Sequence, residues 1–451
     1  MPSLEKTQEV LSEVNLDRLA VESGFKKRES KITPKMFLDN LMHNASSDMN
    51  KSLNSLSIDL KQSYNVDISK QGLNERYAQE ASLYLKSVLR QFCFTNDIPI
   101  NEGWLGHFNR VRVKDSTKFV LPEEYANVMP GFGGVSSKSA TGIQYEYDLK
   151  TGSVLDLNIT PANRTDSKDA RDTQDNIQPN DLVIRDLGYY SLDVISKFME
   201  VGAFIISKLN TNTFVYEKEN DKYKVIEFGR LYTWMKKHKL QQLDKPVYIG
   251  SEARIPMRLI IDIVPDEVLA KRMQKLNKYN KRMGHTTSEE YTNRARFNLT
   301  ITNIPHAAIP TQAIMALYHV RWQIELVFKI WKSTFGIHRI GKMKYYRWLC
   351  ILYTKLILIA IYWQTIMPVR AAFYKIKGRL LSIDKCFKTL KAETNKLRDA
   401  IRKGTQAIEQ IMGNIIELIS EKHWLEKKKN KLNFEQIFYL KYCKSDIYVY
   451  I

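Results

Sequence analysis

Residues 318–332 read YHVRWQIELVFKIWK, the pattern of an amphipathic helix. With Tyr318 set at zero and an advance of about 100° per residue, Arg321, Glu325 and Lys332 fall at about −60°, −20° and −40°, and Lys329 at about +20°. Leu317, Val320, Ile324, Val327, Phe328 and Trp331 occupy the opposite side, a core-facing stripe. A polar face of this kind is ordinarily a solvated surface. Here one acid stands among an aromatic hydroxyl and three cations, a set suited to metal and phosphate together if further carboxylates reach it.

Two strands upstream supply them. FNRVRVKDST (108–117) alternates Val111 and Val113 with Arg112 and Lys114 and delivers Asp115 at the strand's end. GIQYEYDLKTGSVLDLNIT (142–160) reads as a hairpin turning around Lys150, Thr151 and Gly152. After a polar helical segment, TDSKDARDTQD, the apolar strand DLVIRD (181–186) ends in Asp186 and breaks at Gly188. Such strand ends are where open α/β sheets place their ligands. Asp115, Asp186 and Glu325 thus form a candidate set of oxygen ligands. Phosphoryl transfer asks for such a set, holding two divalent ions about 3.5–4 Å apart. Carboxylates suit magnesium. Spacing alone does not select these three: Asp148 and Asp156 in the hairpin, Asp193 at a helix start and Asp262 after an apolar strand compete, Asp262 most seriously.

Composition points to the partner. Over 451 residues, 69 Lys and Arg face 49 Asp and Glu, a net charge of +20, which favours a polyanion, with nucleic acid ahead of a membrane surface. MPSLEKTQEV has no apolar leader, and the best apolar run, Leu349 to Trp363, holds only 15 residues and contains Lys355, so it reads as a buried helix. The four cysteines, Cys93, Cys350, Cys386 and Cys443, lie far apart, without the spacing of a zinc site or a disulfide scaffold. No membrane association and a cytoplasmic location are expected.

Three regions are expected. Residues 1–93 carry helical periodicity, and the stretch from Ser63 to Arg90 reads as helix, break at YNVD, then a second helix opening near Ser69 with Lys70, Gln71, Asn74 and Arg76 in its first turns. That is the outline of a DNA-binding helix-turn-helix, and equally of a plain helical hairpin. Residues 94–370 form the α/β catalytic region, interrupted at about 211–296 by a β-rich, basic insertion. In that insertion Lys271, Lys275, Lys278 and Arg282 recur at steps of four, three and four, one basic stripe on a helix that matches a phosphate backbone. Residues 371–451 read as a Lys-rich helical tail whose role is not legible.

The helix spacing Tyr-x2-Arg-x3-Glu-x6-Lys is matched by Tyr318, Arg321, Glu325 and Lys332; DST stands at Asp115, Ser116 and Thr117, and Asp-x-Gly-Tyr at Asp186, Gly188 and Tyr189. In these motifs the chain resembles the bacterial cut-and-paste DDE transposases of insertion-sequence family four, over about residues 90–365. The resemblance implies an RNase H-like mixed-sheet domain in which Asp115, Asp186 and Glu325 hold two magnesium ions, with manganese as a substitute. It implies nicking at the element's ends, a hairpin intermediate, and transfer into target DNA, all by in-line displacement at phosphorus. It assigns Tyr318, Arg321 and Lys332 to backbone phosphates near the element's terminus and to holding a flipped base. The residue chemistry agrees: Arg offers a planar fork, Lys a point charge, Tyr a hydroxyl and a stacking face. Trp322, at about +40° on the same helix, borders that face. Double-stranded DNA, as inverted-repeat ends and target, and a homodimer in a synaptic complex are the partners implied. An RNase H-like nuclease without strand transfer, or a DNA-binding protein that has lost catalysis, are the alternatives.

Overall fold

The computed structural model describes residues 2–47, 50–93, 103–133 and 137–426. The chain opens with helices α1 (Pro2–Val10), α2 (Glu13–Glu22), α3 (Pro34–Ala45), α4 (Leu53–Tyr64), α5 (Lys70–Glu75) and α6 (Gln79–Gln91). Strands β1 (Arg110–Val120), β2 (Pro130–Gly133), β3 (Ser137–Asp148) and β4 (Val154–Pro161) follow, then α7 (Asp166–Asp172), β5 (Asp181–Arg185), α8 (Leu192–Glu200) and β6 (Phe204–Lys208). The expected insertion comprises β7 (Val215–Glu219), β8 (Lys222–Val225), α9 (Phe228–Lys237), β9 (Gln242–Ile249), β10 (Ile255–Ile263), α10 (Asp266–Met283) and α11 (Glu289–Arg294). After β11 (Phe297–Thr302) come α12 (Thr311–Val320), α13 (Trp322–Phe335), α14 (Tyr345–Lys377), α15 (Ile383–Ala392), α16 (Thr394–Lys403) and α17 (Thr405–Lys422).

Contacts divide the chain into two compact units, one of residues 1–101, 115–164 and 323–451, the other of residues 102–114 and 165–322. Strand β1 contributes to both. In the second unit its first five residues pair in parallel with β5, from Arg110↔Asp181 to Lys114↔Arg185. The register is pinned by charge: Asp181 accepts from Arg110 at 2.8 and 2.6 Å, and buried Lys114 pairs with Asp169 of α7 at 2.6 Å. Every residue of β5 is buried, as a parallel strand covered on both faces requires. β6 pairs in parallel with β5, β11 antiparallel with β6, and β10, β9, β7 and β8 extend the ladder antiparallel from there. A continuous apolar core of this unit joins Val183, Phe198, Phe228, Ile261 and Ile301.

In the first unit β3 pairs with β2 through its first residues and with β4 through its last, the hairpin read from sequence. Helix α13 rests on β3: the Tyr145 ring meets Trp331 at 4.9 Å and Phe328 at 6.3 Å between centroids. Helix α14 is apolar enough to cross a membrane by length and composition, but its whole apolar window is buried inside the protein, so it is the core helix that the run from Leu349 suggested. The N-terminal helices pack on it, and Gln364 Nε2 donates to the Phe92 carbonyl (3.2 Å). Arg398 of α16 donates to both Asp39 of α3 and Asp59 of α4, all three buried. With β3 and β4 antiparallel, β5 and β6 parallel to β1, and the insertion ahead of the last helices, the fold is α/β and RNase H-like.

Local expectations shift in three places. The segment from Tyr318 to Lys332 is two helices, because the Arg321 amide tightens onto the Tyr318 carbonyl, three residues back, at 3.1 Å. Asp115 lies in mid-strand; what ends before it is the pairing with β5, at Lys114, while β1 runs on to Val120. The second helix of the expected helix-turn-helix opens at the Ser69 cap but stops at Glu75 and resumes at Gln79. The break draws Tyr77 into the core, 5.6 Å from the Phe37 ring, and Arg76 Nη2 donates to Ser30 Oγ. Cys443 and the tail from 427 lie outside the described residues.

Candidate active site

Asp115 and Glu325 line one open cavity of about 740 Å³ together with Ser116, Phe328, Lys329, Lys332, Ser333, His338 and Arg339. β1 carries the first acid and α13 the second, and the packing of α13 on Tyr145 sets the helix beside the strands. The Ser116 amide donates to Asp115 Oδ1 at 2.8 Å, fixing the carboxylate against its own backbone. Lys332 reaches the Lys118 carbonyl at 3.4 Å, and partial burial lowers its pKa.

Asp186 follows the last residue of β5 and caps the short turn Leu187–Tyr189. It is half exposed, and Arg321 Nε stands 3.9 Å from its Oδ1. The Asp-x-Gly-Tyr pattern has a packing reason. A Cβ on Gly188 would meet Asp166 Oδ2 at 3.1 Å, and buried Tyr189 lies 5.8 Å from the Arg185 guanidinium. In the ladder of β1 with β5 the last matched pair is Lys114↔Arg185.

Residues 106–361, more than half of the chain, match the family model described as a transposase DDE domain. The chain belongs to the DDE transposases of insertion sequences. It is 31% identical over 383 residues to the transposase for insertion sequence element IS231E of Bacillus thuringiensis subsp. finitimus, covering 80% of each chain. To the transposase for IS231C of Bacillus thuringiensis subsp. berliner it is 30% identical, covering 92% of this chain and 90% of the other. To that for IS1151 of Clostridium perfringens it is 28% identical, over 93% and 91%.

The other candidate residues of this transposase fall into distinct settings. Tyr318 is buried, its ring 5.0 Å from Lys208 Nζ, which also donates to Thr300 Oγ1 at 3.0 Å. Burial pushes the Lys208 amine down to about 8. Trp322 is 54% exposed and Lys329 is exposed. Lys271, Lys275, Lys278 and Arg282 all lie exposed on α10, the helix the stepping pattern called for. Arg272 anchors that helix from its other side, donating to the Ala295 and Phe297 carbonyls and to Asn298 Oδ1.

The rival acids are engaged elsewhere. Asp148 accepts from the Lys150 amide (3.1 Å) and Thr151 Oγ1 (2.7 Å) and shapes the hairpin turn. Asp156 accepts from Asn158 Nδ2, and Asp193 is an exposed partner of Arg171. Asp262 accepts from Gln242 Nε2 at 2.6 Å, with a pKa raised by burial. Sequence reasoning missed Ser333, His338 and Arg339 on the cavity wall; the last two lie beyond the helix end, where periodicity no longer applies.

Among the described residues, no three His, Cys, Asp or Glu side chains form a closed metal cage. Magnesium does not ask for one: it keeps several waters and binds through one or two carboxylates plus substrate phosphates. Two carboxylates on one open cavity, with lysines and an arginine about it to meet substrate phosphates, fit that ion.

Proposed function

We propose that this transposase excises and inserts its element by metal-dependent phosphoryl transfer on double-stranded DNA, as a cut-and-paste enzyme of insertion-sequence family four. The observation that carries the reading is the pairing of Asp115 with Glu325 on one cavity whose remaining charged lining is cationic. The Asp-x-Gly-Tyr motif assigns Asp186 as the third acid. Bound at these carboxylates, two magnesium ions would supply an activated attacking oxygen and charge neutralisation at the leaving oxygen. The protein's own groups orient the phosphodiester. Lys332 gives a point charge to a non-bridging oxygen, and Arg321, beside Asp186, offers a planar fork to a neighbouring phosphate. Water as attacking group yields a nick, and the freed 3′-hydroxyl then forms a hairpin on the opposite strand and, after opening, joins target DNA. One geometry serves each step because each is a displacement at phosphorus.

The exposed stripe on α10 tracks backbone phosphates, Trp322 offers a stacking face, and the N-terminal helices, with Lys70 and Gln71 exposed on α5, recognise the inverted repeats. Tyr318, buried beneath Lys208, acts by its hydroxyl or by fixing α12. The protein works in the cytoplasm as a homodimer that synapses two ends.

The test is purified protein, magnesium, and a duplex ending in the element's own inverted repeat. Double-strand release with hairpin ends is expected, lost on chelation and regained with magnesium or manganese. Nicking without strand transfer would favour a nuclease, and cleavage that survives Glu325→Ala would remove the triad.

A further inference from the structure

The cavity holding Asp115 and Glu325 continues along α13 beyond the assigned residues. Glu325, Lys329, Lys332 and Ser333 follow one another down the same helix face, and His338 and Arg339 close the far end. From Glu325 to Ser333 the helix advances about 12 Å, eight residues at about 1.5 Å each. One strand of a duplex presents a phosphate every 3.4 Å or so along the axis. The far end therefore lies far enough from the acids to meet a different phosphate of the same strand.

That far end is a built feature. Gly336 ends α13 with φ +55°, the left-handed conformation that turns the chain back. The turn is closed by the Arg339 amide on the Gly336 carbonyl (3.0 Å) and the Ile337 amide on the Trp331 carbonyl (3.5 Å). Two lysines from other helices brace the same carbonyl-rich helix end: buried Lys355 of α14 donates to the Gly336 carbonyl at 3.1 Å, and Lys391 of α15 donates to the Thr334 carbonyl at 2.6 Å. The Arg339 stem lies over Gly336, with Cδ 3.1 Å from where a Cβ would stand. His338 and Arg339 themselves are exposed. Electrostatically the end is overcharged: burial, then the charges of Arg339, Lys332 and Lys355, hold the His338 pKa below its usual value. An anion there would relieve the mutual repulsion of Arg339, Lys332 and Lys355.

We propose that Arg339 and His338 hold a DNA backbone phosphate a few nucleotides from the scissile one, as a second phosphate station that fixes the strand's path along α13. Arg339 supplies the charge and a two-donor fork, His338 a single hydrogen bond. The proposal rests on the reading of Asp115 and Glu325 as the reaction centre. Lys355 and Lys391 are positioning residues, acting through the turn.

The test is a phosphate map. Binding is measured without divalent ions, by fluorescence anisotropy, on inverted-repeat duplexes in which one phosphate at a time is made an uncharged methylphosphonate. Wild-type protein should lose about tenfold at one position a few nucleotides from the cut. Arg339→Ala should lose a similar factor on unmodified DNA and nothing more at that position, and Arg339→Lys should regain part of the affinity. Equal losses for wild type and Arg339→Ala at every position, or unchanged binding by Arg339→Ala, would overturn the station. Magnesium-dependent cleavage by Glu325→Gln is measured in parallel. If that variant cuts like wild type, the reaction centre is misread. If its cleavage is lost but no Arg339-dependent phosphate is found, only the station fails.

Discussion

Lys355 gives the sharpest quantitative prediction. Its amine sits on the buried core helix α14, 4% exposed, with the Gly336 carbonyl 3.1 Å away. Burial, with smaller contributions from the Lys391 and Arg339 charges, pushes its pKa down from 10.5 to about 8. A lysine whose folded pKa lies below its unfolded value costs stability wherever the unfolded chain would hold the proton more tightly. The cost is fully present below the folded pKa and is relieved as pH rises toward the unfolded one. A shift of about 2.5 units corresponds to roughly 3.4 kcal/mol, of which about 2.5 kcal/mol is returned between pH 7 and pH 10. Lys355→Met removes the titration while keeping a flexible apolar side chain of similar length. Urea unfolding of wild type and Lys355→Met at pH 7 and pH 10 should therefore show the wild type gaining about 2.5 kcal/mol on the variant, whatever their difference at pH 7. Lys208, depressed to about 8 as well, is present in both proteins and cancels. Parallel pH dependences for the two proteins would mean that Lys355 titrates normally, and the brace beneath Gly336 would lose its electrostatic basis.

Other outcomes follow from the same geometry. Arg398→Ala leaves Asp39 and Asp59 buried without their shared cation and should cost about 3–5 kcal/mol in chemical unfolding, with the N-terminal helices released first in hydrogen exchange. Replacing Lys271, Lys275, Lys278 and Arg282 together by Ala should leave folding intact but flatten the dependence of log affinity on log salt by up to about 3–4, at roughly 0.9 per phosphate lost. Gly336→Ala, forced to φ +55° and pressed against the Arg339 stem, should cost about 1–2 kcal/mol and lower DNA affinity by displacing Arg339. Glu325→Gln should abolish cleavage while keeping inverted-repeat affinity within about threefold, separating chemistry from binding in one gel-shift and cleavage pair.

Period carried most of what could be read from the chain. Val111 and Val113 marked β1, the hairpin between Gly142 and Thr160 fell at its true turn, and the steps among Lys271, Lys275, Lys278 and Arg282 marked an exposed face of α10. Each is a local repeat, fixed by backbone geometry within a few residues. Breaks were less legible. The turn at Arg321 has neither Pro nor Gly to announce it, and the stop after Glu75 arises because Tyr77 is drawn against Phe37, a partner forty residues away. The packing of the N-terminal helices on α14 was equally hidden, since the Arg398 contact with Asp39 and Asp59 joins residues more than three hundred positions apart.

The acids show where motif and geometry divide the work. Spacing left Asp262 a serious rival to Asp115 and Asp186, because an acid after an apolar strand looks alike in any sheet. In the structure each carboxylate has a different setting. Asp262 accepts from Gln242, and its partial burial raises its pKa. Asp115 opens on a cavity shared with Glu325 and four basic side chains. Arg339 and His338 went unread for a related reason: they lie past a glycine that reverses the chain, so a projection of the helix puts them nowhere, while the turn at Gly336 returns them to the wall of the cavity that Glu325 opens. A glycine directly after an amphipathic helix, followed by cations, is therefore a sequence signal that a helical site extends beyond its last turn.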